Sequence, residues 1–217
     1  MSKKGHIFLD LDSTLILAEY KHKAEKHKKK IGKPYFYVYG EPGEKDSDFI
    51  VFLRDGLQDF LTYLFKNFKV SVWTAGTKDY AIDIVNNIIY KSNCKKTGRK
   101  LENILFRYHC KCSKRLSGKT KMLSLLDSDF MLDTDEDTII IDDNFDDVYK
   151  YQKDRVINIP AFELFDNNGE LLSSASDTDT AFDTIKKFLK KVGKNSYTIK
   201  DAVRDANTEY TTLAKND

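Results

Sequence analysis

An α/β fold built on a parallel sheet is predicted by two features of the sequence. Strand-like runs alternate with helical runs of ten or more residues, the pattern of parallel strands joined by helical crossovers. The runs at 69–73 (KVSVW) and 138–141 (TIII) read as buried central strands, which such a sheet requires. One interruption stands out. Two aromatic-rich runs, 35–40 (YFYVYG) and 48–54 (DFIVFLR), follow one another with Gly40, Pro42 and Gly43 between them. They predict a β-hairpin elaboration after the first strand.

The elements follow in order. Residues 6–11 (HIFLDL) form a short apolar run ending in acid. The stretch 21–30 (KHKAEKHKKK) is basic and polar all round, which fits a solvated loop or short helix. From Asp55 onward, Leu57, Phe60, Leu61, Leu64 and Phe65 recur at helical spacing and predict an amphipathic helix. A second helix starts near Thr77 with Tyr80, Ile84 and Ile88 inward. A short strand is expected at 103–106, a helix at 120–126 and a strand at 155–159. The last helix spans Thr180 to Val192, with Phe182, Ile185, Phe188 and Leu189 on its inner face and Asp177 or Asp179 as its cap. Residues 1–193 thus make one domain, and 194–217 read as a polar C-terminal tail that frays.

Composition narrows the function. Hydrophobic residues make up 41% of the 217 positions, enough for a packed core, so wholesale disorder is excluded. Lys and Arg total 36 against 34 Asp and Glu, a balance unlike that of a purely electrostatic nucleic-acid binder. Cys94, Cys110 and Cys112 are an odd set for a disulfide framework and favour a reducing compartment. No apolar run reaches the ~18 residues that span a bilayer, and Met1 to Gly5 lacks the features of a signal peptide. The expectation is a soluble, intracellular protein.

In sheets of this kind ligands bind beyond the carboxyl ends of the strands. The first strand ends in Asp10-Leu11-Asp12-Ser13-Thr14, a later one in Trp73-Thr74-Ala75-Gly76, and a third in Asp142-Asp143-Asn144. Lys119 and Lys121 precede the third strand. These residue types suit phosphoryl transfer. A carboxylate can attack phosphorus, and a second one two residues on, on the same strand face, can carry the proton to and from the leaving oxygen. Four crowded carboxylates call for a hard cation such as Mg²⁺, which also binds phosphate oxygens. A lysine, a threonine hydroxyl and backbone N–H groups can stabilise the transferring phosphoryl.

Asp10-Leu11-Asp12-Ser13-Thr14-Leu15 resembles the first motif of the haloacid dehalogenase superfamily. The rest resembles most closely its RNA polymerase II C-terminal-domain phosphatase-like (small CTD phosphatase and NLI-interacting-factor-like) family. Trp73-Thr74-Ala75-Gly76 stands for that family's Phe-Thr-Ala-Ser, Lys121-Met122-Leu123 for its Lys-Asp-Leu, and Asp142-Asp143 for its acid pair. Ser13 replaces the usual Glu, and Leu53-Arg54-Asp55-Gly56 keeps an Arg but loses a Lys and a Pro. The resemblance covers about residues 5–190. It implies a Rossmannoid core, Asp10 as nucleophile and Asp12 as general acid and base. Thr74, Ala75, Lys121 and Arg54 would then contact substrate. Mg²⁺ would be held by Asp10, the main chain of Asp12, Asp142 and Asp143. Lys119 competes with Lys121 for the motif position.

The family implies a phosphoserine or phosphothreonine phosphatase acting on proteins, with the polymerase tail as a typical substrate, monomeric and nuclear or cytoplasmic. A nucleic-acid-end or nucleotide phosphatase and a non-catalytic phosphopeptide-binding or translocase-type module are the alternatives. The basic run from Lys21 to Lys33, with Arg54, is expected to flank the cleft and steer anionic substrates. Three weaker patterns are set aside. Gly118-Lys119-Thr120 lacks the first glycine of a P-loop. Asp133, Asp135 and Asp137 lack the turn glycine of a calcium loop. His109, Cys110 and Cys112 lack a fourth zinc ligand.

Overall fold

The computed structural model describes residues 3–40, 48–92, 95–132, 134, 136–166 and 168–215. Pro42, Gly43, Cys94, Asp133 and Asp135 lie outside the described residues. The chain runs β1 (His6–Leu9), β2 (Ile16–Tyr20), α1 (Lys21–Ala24), α2 (Lys28–Ile31), β3 (Tyr35–Val38), β4 (Phe49–Leu53), α3 (Leu57–Asn67) and β5 (Lys69–Trp73). It continues through α4 (Lys78–Val85), which passes into a π-helical turn at Asn86–Tyr90, then β6 (Lys91–Ser92), β7 (Lys95–Lys96), β8 (Ile104–Leu105), α5 (Arg107–Ser117) and α6 (Leu125–Ser128). Last come β9 (Thr138–Asp142), a second π-helical turn at Phe145–Tyr149, β10 (Val156–Asn158), α7 (Ala181–Leu189) and α8 (Ile199–Leu213).

Five strands form the parallel sheet, in the order β10-β9-β1-β5-β8. Alternate residues feed opposite layers. Ile7, Leu9, Val70, Val72, Ile139 and Ile141 pack against α3, α4, α7 and α8. Phe8, Trp73, Ile140 and Val156 face α5, α6 and the second π turn. Both faces are covered, which is why these strands carry so little charge. Phe60 of α3 stacks on Phe182 of α7, with ring centroids 4.3 Å apart, joining the helices of one layer.

The expected hairpin is part of a three-stranded antiparallel sheet, β2-β4-β3. Its two faces have separate duties. Phe49 and Val51 join the main core, whereas Ile50 and Phe52 are covered by Ala24 of α1 and Ile31 of α2. The basic run therefore caps the outer face. Phe49, on the other face, meets Tyr80 at 6.2 Å. The run is also largely neutralised. Lys21 pairs with Asp48, Lys23 with Glu19, Lys26 with Glu170, Lys28 with Glu25, and Lys33 with Asp55.

Two helices depart from expectation. The helix expected at 120–126 lies elsewhere: α5 precedes it and only Leu125–Ser128 is helical. Only Cys110 and Ser113 of α5 are buried, so an apolar stripe was hardly present in its sequence. The expected polar tail is largely α8. Ile199, Ala202, Val203, Ala206 and Tyr210 bury a narrow stripe at helical spacing. Thr198 and Asp201 close a capping box at its start, with Thr198 N donating to Asp201 Oδ2 at 2.9 Å and Asp201 N to Thr198 Oγ1 at 3.1 Å. The N-cap of α7 is Thr180 and not the expected Asp177 or Asp179, although Asp179 Oδ1 accepts from Ala181 N at 2.8 Å.

Candidate active site

Strand register brings the acids together. Leu9 stands opposite both Val72 and Ile141, so Asp10 and Asp142 emerge side by side one residue later. Asp10 N donates to Ile141 O at 3.0 Å, which fixes the main chain at that point. Asp10, Asp142 and Asp143 each offer an oxygen, all within 4.8 Å of one another.

Lys121 lies between two of them. Its Nζ donates to Asp10 Oδ1 at 2.6 Å and to Asp142 Oδ2 at 2.7 Å, and it is 4% exposed against 7% for Asp10. Burial by itself would lower the Lys121 ammonium, but the two carboxylates outweigh it and hold the group above its ordinary value. The lysine is therefore charged at any working pH. Asp10 is pushed up by burial and pulled back by Lys121. Lys119 points away, toward Asp147 Oδ1 at 3.9 Å and the Tyr151 ring.

Gln152, which belongs to no motif, positions the lysine. This buried amide donates to Lys121 O at 2.8 Å and accepts from Leu123 N at 2.8 Å. Asn158 does the same for the acid pair, donating to Asp142 O at 3.2 Å and Asp143 O at 2.9 Å. Asn158 N in turn donates to Asn207 Oδ1 at 2.8 Å, so α8 is tied to the main chain behind the site. Thr14 Oγ1 donates to Asp143 Oδ1 at 3.0 Å. Burial, reinforced by Asp142, raises the Asp143 carboxyl.

Asp12 is set apart from the acid cluster. Its Oδ1 accepts from Tyr80 OH at 2.5 Å. Burial raises its carboxyl above the ordinary value, opposed by the Tyr80 hydrogen bond and Lys121. Tyr80 reaches it by crossing Gly76, where an added Cβ would lie 2.6 Å from Tyr80 Cδ1. A side chain at 76 would displace the ring. The Gly that replaces the resembled family's Ser thus has a local consequence.

Thr74 is fully buried. Its hydroxyl oxygen accepts from Gly76 N at 3.0 Å, which leaves its proton free to donate. Ala75 is exposed at the strand end, with its carbonyl accepting from Arg107 Nε at 3.1 Å. Arg54 departs from expectation. It is 2% exposed, and its guanidinium donates to Asp179 Oδ2, Thr14 O and Pro160 O at 2.9, 3.0 and 2.9 Å. It braces the first-motif loop from beneath and does not present itself at the cleft wall.

The three clustered carboxylates fit a divalent cation. They are hard oxygen donors of the kind Mg²⁺ prefers, and Asp10, Asp142 and Asp143 would be the side chains to hold it. The Asp12 carboxylate is turned to Tyr80 and is not in that group. His109 and Cys112 lie on α5, away from this cluster, and Cys110 Sγ donates to Thr74 O at 3.4 Å.

Comparisons with known proteins identify the family. The family model for NLI interacting factor-like phosphatases matches residues 6–200. CTD phosphatase-like protein 355R of Invertebrate iridescent virus 3 is 37% identical over 186 residues, covering 82% of this chain and 97% of that protein. Its namesake from Invertebrate iridescent virus 6 is 35% identical over 180 residues, covering 76% and 90%. Among solved structures, Fcp1, an essential RNA polymerase II CTD phosphatase, superposes with a TM-score of 0.54 at 19% identity, covering 98% of this chain and 64% of that one. Fission yeast Fcp1 bound to beryllium fluoride gives 0.55 at 17% identity, with 98% and 65% covered. The chain spans just under two thirds of these Fcp1 chains, and at such identities the likeness is one of fold alone. The chain belongs to the NLI interacting factor-like phosphatase family.

Proposed function

We propose that the protein is a Mg²⁺-dependent phosphatase of phosphoserine or phosphothreonine in proteins, with Asp10 as a transient phosphoryl carrier. The names of its relatives point to the RNA polymerase II C-terminal domain as the substrate class. One observation carries the reading: a buried carboxylate, Asp10, lies 2.6 Å from a buried ammonium, Lys121, at the mouth of a parallel sheet. Such a pair is expensive to maintain unless the site needs it.

Asp10 attacks phosphorus. A bond forms between its carboxylate oxygen and phosphorus while the ester P–O bond breaks, and the departing oxygen takes the Asp12 proton. A water then attacks the phosphorus, passing its proton to the Asp12 carboxylate. The Asp10–phosphorus bond breaks and Asp10 regains its electron pair. Tyr80 orients Asp12 for both transfers, and its upward-shifted carboxyl suits it to hold a proton nearer neutral pH. Lys121 stabilises charge gathering on the phosphoryl oxygens. The Thr74 hydroxyl and the backbone at Ala75 supply further donors. Asp10, Asp142, Asp143 and the Asp12 carbonyl would hold Mg²⁺, which neutralises the acids and polarises the phosphoryl group when bound.

A substrate panel tests the class. Phosphoserine and phosphothreonine peptides should have the highest kcat/KM. A higher value for 3′-phosphorylated oligonucleotides or nucleotides would reject the protein-phosphatase reading.

A further inference from the structure

Two cavities adjoin beside the acid pair. One, of about 430 Å³, begins at Asp143 and is walled by Phe145, Pro160, Ala161 and Ala214. The other, of about 610 Å³, passes Lys153, Lys200 and Arg204. Both are lined by Tyr149, Asn207, Thr211 and Lys215, so they form one groove running from the site along α8. The phosphoryl chemistry uses none of its far half.

The groove changes character along its length. Beside Asp143 it is apolar, and Phe145 is 51% exposed there. Farther on it is cationic. Lys153, Lys200 and Lys215 are exposed and lie within ion-pair distance of no acid among the described residues. Arg204 is held by Asp201 and Asp205. Asp154 and Asp201 also line this half, so four cations face two acids. The basic run at 21–33 offers less free charge, since its pairs with Glu19, Glu25, Asp48, Asp55 and Glu170 satisfy much of it.

We propose that this groove receives the segment of the phosphoprotein substrate flanking the phosphoresidue, with apolar residues beside Asp143 and acidic or further phosphorylated residues over α8. The proposal rests on the phosphatase reading for what occupies the site itself. From Leu213 to Lys200 the helix rises about 20 Å at ~1.5 Å per residue. An extended peptide covers that in about six or seven residues. The acids would therefore stand about four to seven positions from the phosphoresidue. A nucleic-acid strand fits less well, because the stretch nearest the site offers Lys215 alone to successive phosphates.

The test uses the full chain with Asp10→Asn, which binds substrate without turnover. Labelled phosphopeptides carry either four glutamates or four glutamines at positions four to seven, on the N-terminal or the C-terminal side. Kd is read by fluorescence anisotropy at low salt. The glutamate tail should tighten binding about tenfold in one direction, from several exposed pairs each of modest strength. Adding Lys153→Glu and Lys200→Glu should abolish that gain. Equal Kd for both tails in both directions, a gain that survives charge reversal, or equal displacement by an oligonucleotide of the same charge would overturn the groove. Turnover of p-nitrophenyl phosphate by the unmodified protein reports the chemistry separately. Its failure beside an intact tail effect would reject the phosphatase reading and leave the groove standing.

Discussion

Replacing Lys121 by Met removes one ammonium from between two buried carboxylates while keeping most of the side-chain volume. Two charge-assisted contacts, at 2.6 and 2.7 Å, disappear at once. Breaking one side of a buried ion pair costs about 3–5 kcal/mol. For a domain of this size that is about 6–20 °C in Tm, at ~2–4 °C per kcal/mol. The loss should depend on pH. Burial already raises the Asp10 carboxyl, and without Lys121 it rises further. The folded variant then binds more protons than its unfolded chain, so its stability falls as pH rises through the Asp10 pKa and recovers on acidification. Activity should suffer beyond stability. Losing one preorganised donor to a developing oxyanion typically lowers kcat about 10²–10³-fold. Lys119→Ala removes only a half-exposed contact at 3.9 Å and should change kcat less than threefold, with a stability change under ~1 kcal/mol. The assay is steady-state hydrolysis of p-nitrophenyl phosphate, well below both Tm values, alongside thermal unfolding at pH 5 and pH 8. A Lys121→Met enzyme within threefold of the parent, or a larger loss from Lys119→Ala, would refute the reasoning.

Other outcomes follow from the same geometry. Tyr80→Phe removes a hydrogen bond that favours the Asp12 carboxylate, so the Asp12 pKa should rise further. In the pH–rate profile, the limb that needs that carboxylate should then move to higher pH. An unmoved profile would show that Tyr80 does not govern Asp12. Arg54→Gln should lower stability by about 3 kcal/mol or more, since three buried contacts are lost, and should leave KM for small substrates nearly unchanged. Unaltered denaturant stability with a raised KM would restore the substrate-contact role. Asn207→Ala, which frees Asn158 N and Val156 O, should cost about 1–3 kcal/mol in chemical denaturation; no change would mean that α8 does not brace the site. Exhaustive chelation should abolish turnover and Mg²⁺ should restore it. Full activity after chelation would remove the metal from the scheme.

The parts of the fold most legible in the sequence were those with strong apolar patterns. TIII at 138–141 and the stripe of α3 became a central strand and a core helix as their residues require. α5 was illegible because it buries only one cysteine and one serine. α8 was misread because its inner stripe is only five residues wide in sequence, two of them alanines, and so leaves little signal amid polar neighbours, though the Thr198–Asp201 capping box was there to be seen. At the site, motif order singled out Asp10, Lys121 and the Asp142–Asp143 pair, which lie together because the ends of parallel strands converge. The supporting amides Gln152 and Asn158 could not be found this way. They act through contacts 31 and 16 residues away in sequence, and an isolated amide carries no pattern. Arg54 was misplaced for a related reason. Its charge suggested solvent and anions, but Asp179 and two carbonyls from distant segments make burial affordable.

The most direct test of the central claim is to locate the phosphoryl group on the protein. Enzyme mixed with phosphopeptide is quenched in acid during turnover and reduced with borohydride, which converts an acyl-phosphorylated aspartate to homoserine. Peptide mass spectrometry then identifies the converted residue. Conversion at Asp10 alone, absent when substrate is omitted, is the predicted result. Conversion at Asp12, Asp142 or Asp143, or none at all while turnover proceeds, would contradict Asp10 as the nucleophile.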